Sequence, residues 1–96
     1  MTTFLMQLKF TEQGIRTIKD APKRIQAARD LAKTMDIEIK QIYLTAGEHD
    51  LVAILETQSG DIAKFALALA SRGNVHTRTG RAWTEAEFMK IVSELP

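Results

Sequence analysis

Apolar and polar residues alternate from Phe4 to Phe10. Phe4, Met6, Leu8 and Phe10 fall on one side, Gln7 and Lys9 on the other. A period of two marks an extended strand with one buried face, and Leu5 is the apolar exception on its polar side. Thr11 is placed to cap a short helical turn carrying Ile15 and Ile18, which Gly14 weakens. Ile25, Ala28, Leu31, Ala32 and Met35 then recur at helical spacing. With Asp20 as the expected cap and Pro22 in the first turn, they predict a helix over 21–35. Ile37, Ile39 and Tyr43 alternate with Glu38 and Lys40, giving a second strand over 37–44, and Gly47-Glu48-His49-Asp50 reads as a turn. Leu51 to Leu55 is apolar on both faces, as in a strand buried in mid-sheet.

A second helix is expected to be capped by Ser59, to present Ile62, Phe65, Ala66 and Leu69, and to end at Gly73. Leu67 lies off that stripe. Val75 to Ala82, rich in threonine and arginine, is the fourth strand. Thr84-Glu85-Ala86-Glu87 is a capping box, and Phe88, Ile91, Val92 and Leu95 behind it make the clearest helical stripe in the chain.

The order strand-helix-strand-strand-helix-strand-helix predicts an α+β fold. Its first six elements form a ferredoxin-like βαββαβ plait with antiparallel sheet order 4-1-3-2 and two helices on one face, and a C-terminal helix is added. Those two helices leave the other face open, so the two-sided apolar run at 51–55 needs a second cover. This predicts a homodimer or larger assembly through the open sheet face. At 96 residues the chain is expected to be a single domain over 1–96, without repeats or linkers.

A formal charge of +1, from 13 basic and 12 acidic residues, supplies no field to draw nucleic acid or an anionic membrane. No cysteine is present, which removes disulfides, thiolate metal sites and a cysteine nucleophile, and suits a reducing, cytoplasmic setting. The N-terminus lacks the basic start and long apolar run of a signal peptide.

Candidate chemistry gathers at one end of the expected sheet. The 47–50 turn and the start of the fourth strand share that end, so His49 and Asp50 lie near Asn74 and His76. The two histidines sit two strand spacings apart, about 10 Å, too far to share one metal ion, and neither a metal nor a cofactor is expected. His49-Asp50 has the composition of an acid–base pair, although an Asp in such a turn more often bonds nearby backbone. Arg72, Arg78, Arg81 and Lys9 would give a basic patch for an anion, or a solvated strand face. Tyr43 and Trp83 are candidate pocket walls, or packing anchors.

Three segments resemble the GYD family of small bacterial and archaeal proteins. They are Thr11-Glu12-Gln13-Gly14 through Ile18-Lys19-Asp20-Ala21-Pro22-Lys23-Arg24; Tyr43-Leu44-Thr45-Ala46-Gly47-Glu48-His49-Asp50; and Gly73-Asn74-Val75 through Arg81-Ala82-Trp83-Thr84 and Glu87. In the Gly-x-Tyr-Asp-like signature behind the family's name, Gly47 and Asp50 match, while His49 stands where tyrosine is usual. The resemblance implies the plait and a likeness to dimeric α/β-barrel proteins, whose open sheet faces pack together. It implies no specific activity.

Two functions are therefore expected to compete. One is an oligomeric module that serves assembly or binds a small molecule in a pocket between subunits lined by Gln7, Lys9, His76 or Arg78, without a paired acid and base. The other is a cofactor-independent oxygenase or isomerase of the dimeric-barrel type, using His49 or His76 as base with Tyr43 and Trp83 shaping the pocket.

Overall fold

The computed structural model describes all 96 residues. Strand β1 (Thr2–Phe10) leads into a short helix α1 (Glu12–Arg16), a 3₁₀ turn at Ile18–Asp20 and helix α2 (Ala21–Thr34). Strands β2 (Ile37–Leu44) and β3 (Leu51–Thr57), helix α3 (Ile62–Ala70), strand β4 (Val75–Ala82) and helix α4 (Glu85–Ser93) follow. The four strands form one antiparallel sheet in the order β2-β3-β1-β4. Counted from the other edge, this is the expected 4-1-3-2 plait.

Cross-strand partners share a face of the sheet, so the register sorts the side chains. Met6 pairs with Ala53, and Phe4 with Leu55. These residues pack with Phe65 and Leu69 of α3 and Ala32 of α2 into the core. On the opposite face Leu5 pairs with Ile54 and with Gly80, and Gln7 with Val52 and with Arg78. No helix lies over that side. A bulge between Ile39 and Gln41 reverses the parity of β2: Ile37 and Ile39 face the core before it and Ile42, opposite Ala53, after it, so Tyr43, opposite Val52, lies on the open face and not beside Ile37 and Ile39 as the alternation predicted.

The caps differ from expectation in two places. Asp20 has helical backbone angles and makes no side-chain cap bond, because the 3₁₀ turn runs directly into α2. Asp61, not Ser59, caps α3: its carboxylate accepts the Lys64 N–H, while Ser59 donates to Asp36 Oδ2. Gly73 has the positive φ of 83° expected of it, but α3 ends at Ala70 and the glycine closes the turn that follows. The capping box of α4 is complete in both directions.

Only 11 of the 96 residues are buried, so the chain's own core is small. The radius of gyration is 14.7 Å, against about 12.5 Å for a compact chain of this length. Helix α4 stands apart from that core. None of its residues is buried, and it packs extensively on no other element. An Arg81–Glu87 ion pair ties it to the end of β4, and the Arg81 guanidinium lies 4.6 Å from the centroid of the Trp83 ring.

Candidate functional site

Glycines and hydrogen bonds join three segments at the C-terminal end of β1. The Phe10 N–H donates to Asp50 Oδ2 at 2.8 Å, and the Asp50 N–H donates to the Leu8 carbonyl. The Thr11 N–H donates to the Asn74 carbonyl, and its hydroxyl to the Gly73 carbonyl. Gly14 is buried against Asn74, so close that a Cβ there would lie 2.0 Å from the Asn74 carbonyl oxygen. Glycine is needed at that position for this approach. Lys9 Nζ donates to the Glu48 carbonyl, pinning the turn that Gly47 opens with a φ of 128°.

The residues singled out in the sequence divide among four places. Asp50 is half-buried in this junction, and its bond to Phe10 gives it a backbone role rather than a pairing with His49. Thr45 donates its hydroxyl to the His49 carbonyl, which closes the same turn. His76 pairs with Lys9, and Arg78 with Gln7, so all four lie on the open face. Tyr43 is also on that face, with its hydroxyl donating to Gln41. Trp83 follows β4 at the far edge. Tyr43 and Trp83 thus sit on opposite edge strands, about 14 Å apart across three strand spacings, and do not wall one pocket within a chain. The anticipated basic patch is split: Lys9 and Arg78 share the open face, Arg81 lies opposite Phe4 on the helical face, and Arg72 precedes β4.

The enclosed space lies on the other side of the sheet. A cavity of about 630 Å³ runs between the sheet and α2, with 18 of its 23 lining residues apolar. Its size is within the range of small-molecule sites. Small side chains produce it. Ala21, Ala27 and Ala28 of α2 and Ala53 of β3 line it where longer side chains would close the gap between helix and sheet. Leu51 is open on its floor, and the buried Met6, Leu8 and Leu55 pack beneath. Ile15, Ile18 and Leu44 line it yet remain 54%, 39% and 79% exposed, which makes an apolar rim open to solvent. Lys23, Arg24, Arg72, Asp50 and Asn74 supply its polar positions. The Arg24 guanidinium is held by the Thr17 and Gly14 carbonyls and the Thr17 hydroxyl.

Of the residues anticipated for a site, Asp50 and Arg72 line this cavity, together with Asn74. Neither histidine does. The missed residues left weak marks in the sequence: Ile15 and Ile18 read only as the face of a short helical turn, and Arg24 lies outside the α2 stripe of Ile25, Ala28, Leu31, Ala32 and Met35.

The family model of the GYD domain matches residues 4–92. The chain belongs to the GYD family. In this GYD chain the Gly47-Glu48-His49-Asp50 signature has a visible structural use. Gly47 takes the left-handed backbone, and Asp50 caps the end of β1. The fold is similar to that of MtbAldR, whose crystal structure matches with a TM-score of 0.63 at 13% identity, covering 88% of this chain. The GYD chain spans about half that protein, 54% of its length. Comparison with curated proteins finds no match in sequence. No helix is long and apolar enough to cross a membrane.

Proposed function

We propose that this GYD chain is a homodimeric module that binds a small molecule in each subunit. The cavity between α2 and the sheet carries the ligand half of the reading: it is apolar, of ligand size, and rimmed by exposed isoleucine and leucine side chains. Binding is favoured over turnover because no histidine lines the space and its one carboxylate already holds the Phe10 N–H. A cytoplasmic setting accords with the lack of cysteine.

The open sheet face supports the dimer. Leu5, Val52 and Ile54 are neighbours at its centre. Glu38 and Glu56, with Lys40 between them, occupy one corner. Lys9, His76 and Arg78 occupy the diagonally opposite corner. A second copy laid face to face with its strands crossed, on a two-fold axis along the other diagonal, brings each acidic corner over a basic one.

Light scattering tests the assembly: the expected mass is twice the 10.8 kDa of the chain. Fluorescence of the neutral dye N-phenylnaphthylamine tests the cavity. The dye is expected to bind the native chain and to lose its site in Ala28→Leu, which fills the space from α2. A dye signal unaffected by Ala28→Leu would place binding elsewhere.

A further inference from the structure

The polar groups around the cavity are unequal in sign. Three cations, Lys23, Arg24 and Arg72, stand against one anion, Asp50. None of the three takes part in any of the chain's ion pairs. Arg24 spends three of its five N–H donors, two from Nη1 and one from Nη2, and its partners are two carbonyls and a hydroxyl, which leave its charge uncompensated. The Asp50 carboxylate accepts a backbone N–H, which consumes part of its capacity to receive a ligand cation. Lys23 and Arg72 are exposed, so their heads are at the mouth, while the interior of the cavity is apolar. A neutral hydrocarbon would satisfy the interior and ignore the mouth. A cation would meet like charge on entry.

We infer that the cavity takes a monocarboxylate with an apolar body, its body against Ile15, Ile18, Leu44 and Leu51 and its carboxylate at the Lys23–Arg24–Arg72 mouth. This rests on the small-molecule reading above and names the ligand class. Arginine suits the task because its planar fork matches a carboxylate and stays charged at all physiological pH values. Covering Ile15, Ile18 and Leu44 with the ligand's apolar body would add burial that the free chain lacks.

The test compares decanoate with decanol on the full chain, at low ionic strength. Both are followed by calorimetry and by displacement of N-phenylnaphthylamine. Decanoate is expected to bind about tenfold more tightly, although decanol is the more hydrophobic of the two. The preference should shrink in high salt. Arg72→Glu with Lys23→Glu, both at exposed positions, should weaken decanoate by about tenfold or more and leave the dye unaffected. Equal binding of acid and alcohol, or a charge reversal without effect, overturns the carboxylate assignment and leaves the small-molecule reading standing. Failure of dye, acid and alcohol alike overturns both.

Discussion

Replacing Gly14 by alanine sets two physical effects against each other. Gly14 lies inside α1, where alanine is favoured over glycine by about 1 kcal/mol. Helix propensity alone therefore predicts a stabilised protein. The structure predicts the opposite sign. The new Cβ would sit 2.0 Å from the Asn74 carbonyl oxygen and 3.0 Å from its carbon, both backbone atoms that cannot swing aside as a side-chain tip would. Separating α1 from the start of β4 strains the Thr11 N–H bond to Asn74, whose loss costs about 1 kcal/mol. Forcing an extra methyl group into a packed contact costs about 1–3 kcal/mol more. After the propensity gain, Gly14→Ala should lose roughly 1–3 kcal/mol, with each kcal/mol lowering Tm by about 4–8 °C. Urea titration at one fixed protein concentration measures it, since assembly makes stability concentration-dependent. The same junction borders the cavity, so dye affinity should fall as well. A variant as stable as the native chain, or more so, would refute the close approach of Gly14 to Asn74.

Ile54→Glu places a charge at the centre of the open face, opposite Leu5 and Gln41; the scattering mass should drop from twice to once the chain mass, and a persistent dimer would exclude this face as the interface. Glu87 has a pKa held below the usual carboxylate range, chiefly by the Thr84 backbone N–H it accepts and also by the Thr84 hydroxyl and Arg81. The charged form is the one that caps, so the capping contribution is complete above the ordinary Glu pKa and is lost as pH falls through the lowered value. Circular dichroism should therefore show α4 fraying in acid, and Glu87→Gln should flatten that dependence; an unchanged profile in the variant would assign the transition to another group. Trp83, the one tryptophan, is 52% exposed; if a second copy covers α4, its emission should move to shorter wavelength as concentration rises through the dimerisation range, and a spectrum independent of concentration while the mass doubles would leave α4 outside the interface.

The fold was legible because the sheet states its pattern twice, once in the alternation at Phe4–Phe10 and again in the two-sided run at Leu51–Leu55. Register then follows from which residues must face the helices. The caps were less legible. Ser59 and Asp61 are both acceptable cap residues two positions apart, and only the path of the chain after Thr57 decides between them. Gly14 reads locally as a flaw in a helix, whereas its reason lies sixty residues away at Asn74. The cavity was least legible. Alanines at 21, 27, 28 and 53 look like ordinary core positions, and the space they leave depends on how far α2 stands off the sheet. For the same reason nothing local marks Lys23 and Arg24 for a site, although the cavity opens beside them. Strand order puts Tyr43 and Trp83 on opposite edges, so within one chain they do not share a wall.

Helix α4 shows why the chain reads as incomplete when alone. Its stripe of Phe88, Ile91 and Val92, continued by Leu95 just past the helix end, is the most regular in the sequence, yet those side chains are 45–63% exposed. A nine-residue helix is too short to hold itself in water, where about 12–15 residues are marginal even for favourable sequences. The capping box and the Arg81–Glu87 pair secure its first turn and do nothing for the apolar stripe beyond it. The open sheet face presents a smaller deficit: Leu5, Val52 and Ile54 are half-buried, with no helix packed over them. Two uncovered apolar surfaces on a domain with so small a core are more economically explained by one partner than by two. A second copy offers both surfaces at once, and its charged corners complement those of the first. The same strand β3 that would meet the partner through Val52 and Ile54 forms the cavity floor through Leu51, Ala53 and Leu55. Assembly on one face would therefore steady the ligand site on the other.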